Sequence, residues 1–274
     1  MDLARDYGLT TSALQPHPGG FRTDAWVVDR RWFVKLWPAG EKPTGLETLS
    51  ELAALGLPVI EPVRTVRGEL SAMADDRAYA VFPYVEGRTA TWDDWRVAAR
   101  ALRQVRDVPP RVDLPAGNLD EPHIWELGRN LDHPWIVDRR DEVAAAIERV
   151  RDVIAGLKPV REVVCHTDFH GLNLLLDDEG EVLAILDRED AVIGPREHDV
   201  WVAAEGPQVV EFLEEYGVRD LDLGHLEYAL LARGLRDMSA RVLQEVDRPG
   251  VDTWGFDRIR RVDRMLEVFR AYCG

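Results

Sequence analysis

The sequence has little cysteine and lacks long hydrophobic runs. Its 274 residues include only Cys165 and Cys273, which lie far apart and outside any CxxC or Cys/His cluster. This argues against a disulfide framework and against structural zinc. No uncharged apolar stretch approaches the ~20 residues that a membrane-spanning helix needs. Residues 1–6 are charged and contain no apolar signal core, so we expect a soluble, cytoplasmic protein that does not bind membranes.

Positive charge is also scarce, with 34 Lys and Arg against 50 Asp and Glu and a net charge of −16. A nucleic-acid partner needs a basic surface, so this balance argues against one. It is compatible with attracting a cationic small molecule, or with solubility alone, because net charge does not tell where the charges lie. Hydrophobic residues make up 46% of the chain, which is enough for a packed core and excludes a disordered protein.

The stretch Val163–Trp201 is the most informative part of the chain. Its pattern predicts a strand at Val163–Val164, a tight loop, and a hairpin whose strands are Leu174–Leu176 and Val182–Leu186. An Asp-Asp-Glu-Gly turn at 177–180 joins the two hairpin strands. A hairpin brings its two ends together, so polar side chains that flank it can converge.

Three such side chains flank the predicted hairpin: Asp168, Asn173 and Asp187. Mg²⁺ prefers oxygen ligands and usually takes one or two protein carboxylates together with nucleotide phosphates, which suits Asn173 and Asp187. Asp168 would accept the proton of an attacking hydroxyl, as the catalytic-loop Asp of kinases does. The alternative is that all three are ordinary turn residues, since Asp and Asn favour loops.

The motif His166-x-Asp168-x-His170-x-x-Asn173, followed by Ile185-Leu186-Asp187, resembles the catalytic core of the aminoglycoside phosphotransferases. The segments 187–190 and 195–199 are most similar to the spectinomycin phosphotransferase branch. The resemblance implies an α+β, bilobal protein-kinase-like fold, with ATP (or GTP) and Mg²⁺ as cofactors. It implies a nucleotide-binding lobe at 1–83, a hinge at 84–88, and a helical lobe at 89–274 that contains the catalytic hairpin at 163–190 and the substrate-binding helices.

A lysine stands in the middle of the apolar strand Trp32–Leu36, which follows a predicted strand at Ala25–Val28. The position of Lys35 calls for an explanation, because a charged side chain without a partner is rarely buried. The lysine would contact the α- and β-phosphates, as the third-strand Lys of kinases does, or it simply faces outward. Glu47 or Glu51, on a helix predicted at 45–55, would hold it in place, and the resemblance favours Glu47; each is otherwise a solvated carboxylate.

Two further segments of the first lobe are candidates for nucleotide contacts. Gly19–Asp24 could cover the phosphates with backbone N–H groups, or be a plain loop. After predicted strands at Val63–Val66 and Ala78–Phe82, the segment 82–88 resembles a kinase hinge. There Pro83 would offer its C=O to adenine and Val85 its N–H, and proline can fill only the first of these positions. A Pro-containing surface loop is the alternative.

The rest of the chain is predicted to be mainly helical, at about 92–105, 123–130, 143–157, 207–216, 223–246 and 256–272, with Thr91 as an N-cap. His166 would orient the catalytic loop, and His170 would stabilise that loop or touch substrate. Asp199 would cap a helix and anchor the loop through backbone N–H groups. The carboxylates near the substrate would be drawn from Glu189, Asp190, Glu205, Glu211, Glu214 and Glu215.

The resemblance implies transfer of the γ-phosphate of ATP to a hydroxyl of a cationic aminoglycoside- or aminocyclitol-type antibiotic, and hence antibiotic resistance. A kinase of a metabolic alcohol, such as choline, homoserine or methylthioribose, would use the same core. A nucleotide-binding pseudokinase would lack a catalytic group, whereas Lys35, Asp168, Asn173 and Asp187 are all present. No pattern in the sequence indicates an oligomeric state.

Overall fold

The structure is a computed structural model that describes residues 1–17, 23–109, 114–117, 119, 121–187, 191–243 and 253–274. The predicted phosphate-covering loop at Gly19–Asp24 lies mostly outside these residues, as do the predicted substrate carboxylates Glu189 and Asp190. The chain divides into two compact units, Met1–Leu114 with His170–Ala191, and Pro115–Phe169 with Val192–Gly274. The lobe and hinge boundaries at 83 and 88 stay predictions.

The first unit is built on an antiparallel sheet with the strand order β1-β2-β3-β5-β4. Its strands are β1 (Leu14–His17), β2 (Asp24–Val28), β3 (Trp32–Leu36), β4 (Ala72–Ala74) and β5 (Arg77–Pro83). The helices α1 (Leu3–Tyr7) and α2 (Leu46–Ala54) pack on this sheet. The predicted strands around Lys35 and the predicted helix at 45–55 are therefore confirmed, with ends shifted by one residue.

The two faces of this sheet carry different cores, because side chains alternate along each strand. On one face Val34 and Leu36 of β3 join a buried cluster with Leu3 and Tyr7 of α1. On the other face Ala80 and Phe82 of β5 pack with Leu46 and Leu49 of α2, and Phe33 borders this cluster. Lys35 alternates with Val34 and Leu36, so it lies on the α2 side of the sheet.

A smaller sheet in the same unit contains the predicted hairpin. Its strand order is β6-β8-β9, where β6 is Arg88–Thr89, β8 is Leu174–Leu176 and β9 is Val182–Ile185. The helix α3 (Trp95–Asp107) follows β6 in the chain after a short 3-10 turn, and it contacts β9. Thr91 caps that turn in a capping box with Asp94, as expected from the sequence.

The second unit is mainly helical. The helices are α4 (Pro122–Arg129), α5 (Arg140–Gly156), α6 (Glu197–Val200), α7 (Val209–Tyr216), α8 (Leu223–Leu243) and α9 (Trp254–Cys273). The strands β7 (Glu162–Cys165) and β10 (Val192–Pro195) pair antiparallel. α8 packs against α4, α5, α6 and α9, and is the central helix of this unit. Within the part of the chain described, no helix has the length and apolarity needed to cross a membrane.

The predicted strand at Val63–Val66 is wrong. Val63 N donates to Val81 O at 2.7 Å, but the chain then turns away from β5. The hydroxyl of Thr65 accepts hydrogen bonds from the backbone N–H groups of Arg67 and Glu69, at 3.3 and 3.1 Å. These local side-chain-to-backbone hydrogen bonds take the place of the inter-strand hydrogen bonds that a strand would need.

The crossing of α8 and α9 depends on two glycines that let the backbones approach closely. A Cβ at Gly255 would lie 2.7 Å from Gly234 O and 2.7 Å from Met238 Cγ. We therefore expect Gly255→Ala to lower the free energy of unfolding by about 1–3 kcal/mol, as overpacked cores do. Denaturant unfolding followed by circular dichroism measures this.

Gly156→Ala is the matched control for this crossing, because a Cβ at the end of α5 meets nothing within 4 Å. Alanine favours helix over glycine, so this variant should be as stable as the wild type or slightly more stable. Equal stability of the two alanine variants would contradict the close approach at Gly255.

Candidate active site

The residues that flank Lys35 on the two neighbouring strands have small side chains. The residues opposite it are Ala25 on β2 and Ala80 on β5, and paired residues point to the same face of a sheet. Two alanines leave room beside the lysine for a ligand. The Lys35 side chain is 21% exposed and its Nζ lies 2.9 Å from Asp187 Oδ1. Glu47 is exposed in the first turn of α2, and its pairing with Lys35 stays a prediction.

The base of the hairpin brings Asn173 and Asp187 to the same end. Leu174 pairs with Ile185, and Leu186 N donates to Asn173 O at 2.8 Å. Asn173 is buried, and its Nδ2 lies 3.4 Å from His170 Nε2, so His170 packs beside a predicted metal ligand. Asp187 has a φ of 50°, an uncommon left-handed conformation for a residue other than glycine.

These two side chains fit the predicted cation. A carboxamide and a carboxylate are hard oxygen donors, and Mg²⁺ takes few protein ligands because water and phosphate complete its shell. Lys35 beside Asp187 adds a positive charge at the place where phosphate oxygens would gather. The left-handed backbone at Asp187 is the kind of local strain that clusters at functional sites.

The predicted catalytic loop, residues 166–169, belongs to the second unit and is held by hydrogen bonds to Asp199. The Asp199 carboxylate accepts hydrogen bonds from His166 N at 2.6 Å and Thr167 N at 2.7 Å. His166 is buried and packs edge-on against Phe169, with ring centroids 5.5 Å apart. Thr167 has a φ of 71°, which is a genuine outlier for a β-branched residue. The chain is thus held in an unusual conformation immediately before Asp168.

Asp199 differs in one respect from its predicted role. The contacts with the loop N–H groups are as expected, but the residue does not cap a helix. It is the third residue of α6, whose N-cap position is Arg196. The buried Asp199 carboxylate is therefore directed at the catalytic loop.

The side chain of Asp168 is 47% exposed, and one of its oxygens contacts a guanidinium N–H of Arg233 on α8. The sequence analysis did not identify this arginine as part of the site. A signal was present, because Arg233 interrupts a run of buried residues in α8, between Leu231–Ala232 and Gly234–Leu235. Charged residues in such a run need partners.

The two predicted hinge positions lie at the end of β5 and two residues beyond it. Pro83 ends β5 opposite Trp32, and Tyr84 N donates to Arg31 O at 2.8 Å. Pro83 is exposed and Val85 is partly buried. Their roles toward adenine stay predictions.

One of the predicted substrate carboxylates already has a partner. Glu205 receives hydrogen bonds from Arg258 at 3.0 and 3.1 Å. Burial by itself would lower the pKa of Arg258, but Glu205 and Asp237 raise it above the ordinary value. An ammonium group of a substrate would have to compete with this guanidinium for Glu205. Glu211 and Glu214 of α7 are exposed, and Glu214 lies 3.7 Å from a guanidinium nitrogen of Arg219.

A histidine next to Asp199 is held in its neutral form. Burial, with a contribution from nearby His225 and Arg236, lowers the pKa of His198 to about 3. The His198 ring lies 6.0 Å from that of His225 and 5.3 Å from that of Tyr228. Its Nε2 is buried, with no hydrogen-bond partner among the residues that the structure describes.

The lowered pKa of His198 predicts a loss of stability in acid. Below its ordinary pKa of 6.5 the unfolded chain binds a proton at this position and the folded chain does not, so the free energy of unfolding falls as pH drops toward about 3. The slope from this group is at most about 1.4 kcal/mol per pH unit. His198→Gln should flatten the dependence measured by denaturant unfolding between pH 7.5 and 5. Identical slopes in the two proteins would contradict the assignment.

The sequence matches a known protein family, and the fold is similar to those of several solved structures. Residues 13–231 match the model of a family described as the phosphotransferase enzyme family. A search of curated proteins finds no match. The solved structure of spectinomycin phosphotransferase APH(9)-Ia with ADP and spectinomycin is similar at 19% identity and a TM-score of 0.72, covering 98% of this chain and 96% of that chain.

Two other solved structures are similar over nearly the whole chain. An aminoglycoside phosphotransferase from Alicyclobacillus acidocaldarius has 16% identity and a TM-score of 0.61, with 97% of this chain and 93% of that chain covered. The ternary complex of APH(2")-IIa with streptomycin and ATP has 14% identity and a TM-score of 0.61, with 94% of each chain covered. The predicted α+β, protein-kinase-like fold is confirmed.

Proposed function

The chain belongs to the phosphotransferase enzyme family, as the sequence motif predicted, and from this we propose that it transfers the γ-phosphate of ATP to a hydroxyl of an aminoglycoside- or aminocyclitol-type molecule. The observation that carries the proposal is the group formed by Lys35, Asp187 and Asn173. An ammonium 2.9 Å from a carboxylate, with a carboxamide at the same hairpin base, suits a nucleotide polyphosphate and its cation.

Each predicted residue has a role in this reaction. Lys35 would contact the α- and β-phosphates, and Asn173 and Asp187 would hold Mg²⁺, whose charge would neutralise that of the phosphates. Pro83 C=O and Val85 N–H contact the adenine. Asp168 orients the acceptor hydroxyl and takes its proton while the new O–P bond forms and the bond to the leaving ADP breaks.

The nature of the acceptor rests on charge and on the relatives. The chain carries a net charge of −16, which favours approach of a cation. Two of the similar structures named above contain spectinomycin with ADP or streptomycin with ATP, which supports an acceptor of that class and a role in antibiotic resistance. A related structure contains GDP and kanamycin, so GTP is the alternative donor. The cytoplasmic location stays a prediction.

A kinase of a metabolic alcohol is the second candidate, and one contact favours it. Glu205 is already paired with Arg258, which removes one carboxylate that a polycationic acceptor could use. An alcohol with a single positive charge, or with none, would not need it.

The deciding experiment measures acceptor-dependent ADP release with MgATP or MgGTP. The panel contains spectinomycin, aminoglycosides such as kanamycin and streptomycin, and alcohols such as choline, homoserine and methylthioribose. We expect one class to give a phosphorylated product in a 1:1 ratio to ADP, confirmed by mass spectrometry. MgATP binding without turnover of any acceptor would favour a pseudokinase, and failure to bind either nucleotide would contradict the proposal.

A further inference from the structure

We propose that Arg233 is a positioning residue that holds Asp168 in the orientation that phosphoryl transfer needs. The inference rests on the proposed role of Asp168 as the base. One guanidinium N–H of Arg233 donates to Asp168 Oδ1. The arginine side chain is 18% exposed and the aspartate 47% exposed. A largely buried arginine therefore holds a carboxylate that solvent and ligands can reach, and an acceptor hydroxyl can approach Asp168 while Arg233 contacts it.

Arg233 is in turn fixed by charged residues of neighbouring elements. Its second guanidinium nitrogen lies 3.5 Å from Asp237, one turn further along α8. Asp237 also contacts Arg258 of α9, and Arg258 binds Glu205 at 3.0 Å. Charges therefore alternate from the catalytic loop through α8 and α9 to the segment that contains Glu205. A network of this kind restrains each member more than an isolated exposed pair would.

An aromatic ring fixes the plane of the guanidinium. The Arg233 guanidinium carbon lies 4.5 Å from the ring centroid of Trp201, and that of Arg258 lies 5.6 Å from the same ring. Trp201 is buried. Arginine stacks on aromatic faces through both its charge and its flat shape, which a lysine cannot reproduce.

The hydrogen bonding of Arg233 indicates that its orientation serves Asp168. Its Nε is buried and has no hydrogen-bond partner among the residues described. Buried polar atoms are normally satisfied, so an unsatisfied one needs an explanation. The side chain directs its terminal nitrogens at Asp168 and Asp237 and leaves Nε unbonded. The unsatisfied Nε is thus explained if the position of the guanidinium is set by its hydrogen bond to Asp168.

The test compares Arg233→Met, Arg233→Lys and Arg149→Met. We expect Arg233→Met to lower kcat about 100-fold, the scale of a misplaced catalytic group, with KM for MgATP unchanged. Arg233→Lys should recover part of that loss, because it restores the charge without the planar fork. Arg149→Met removes an arginine that links α5 to Glu227 and Asp263, and it should keep wild-type kcat.

A second measurement does not depend on turnover. Hydrogen exchange of the peptide that covers residues 166–170 should be several-fold faster in Arg233→Met than in the wild type or in Arg149→Met. If exchange is unchanged, or if kcat survives the methionine substitution, the positioning role is wrong. If the wild type phosphorylates no acceptor, the proposed function fails instead, and the exchange result alone decides whether Arg233 holds the loop.

Discussion

Asp168→Asn is expected to lower kcat about 1,000-fold, within the range that general-base catalysis contributes. Asparagine has the same shape and keeps an oxygen for the N–H of Arg233, so the loop should keep its conformation. It cannot take a proton from the acceptor hydroxyl. The substitution leaves the proposed phosphate-binding residues Lys35 and Asp187 unchanged, so MgATP affinity should remain near the wild-type value. Coupled ADP release measures kcat, and isothermal titration calorimetry measures the affinity.

Asp152→Asn makes the same chemical change at an exposed position of α5 and is the control. It should leave both kcat and MgATP affinity unchanged. Wild-type turnover in Asp168→Asn would show that Asp168 is not the base. A parallel loss of MgATP affinity would mean that the substitution disturbs more than proton transfer.

Local patterns were sufficient to predict the elements that surround the site. The hairpin at Leu174–Ile185 has two apolar strands joined by an Asp/Gly turn. All three parts are adjacent in the sequence, so the hairpin can be predicted without knowledge of distant residues. The position of Lys35 was readable for the same reason, because a charge inside an apolar strand is unusual. The long helices followed from their apolar periodicity.

Elements whose existence depends on a distant partner were not predicted. β1 contains Pro16 and is exposed along its length, so it has no alternating pattern, and pairing with β2 defines it as an edge strand. β10 is a strand because it pairs with β7, and its sequence Val-Ile-Gly-Pro carries little signal. Val63–Val66 had the composition of a strand and lacks the ladder.

The same limit applies to the candidate site. The motif residues could be named because their spacing is local. Arg233 lies 65 residues beyond Asp168, and α8 contains other arginines, so the sequence could not tell which of them reaches the catalytic loop. The packing of α8 in the folded structure determines that Arg233 is the arginine of this helix that contacts Asp168.

Asp187→Ala is expected to remove the Mg²⁺ dependence of nucleotide binding. Changes to residues that only support a metal ligand already cost about 10- to 100-fold, so loss of a direct ligand should weaken MgATP binding at least ~100-fold. The geometry adds a second expectation, because Asp187 also pairs with Lys35 at 2.9 Å. Without the carboxylate the lysine keeps its charge for the phosphates, so ATP affinity measured in EDTA should be unchanged or tighter.

Lys35→Met should differ from Asp187→Ala in its ATP affinity in EDTA, and this difference separates the two roles. The lysine substitution removes the phosphate contact and leaves the predicted ligands Asn173 and Asp187, so affinity should fall both with Mg²⁺ and in EDTA. Titration of each variant with ATP at fixed Mg²⁺ concentrations and in EDTA distinguishes them. An Asp187→Ala protein whose Mg²⁺ titration matches the wild type would rule out Asp187 as a ligand. The pairing with Lys35 at 2.9 Å would then be a structural ion pair.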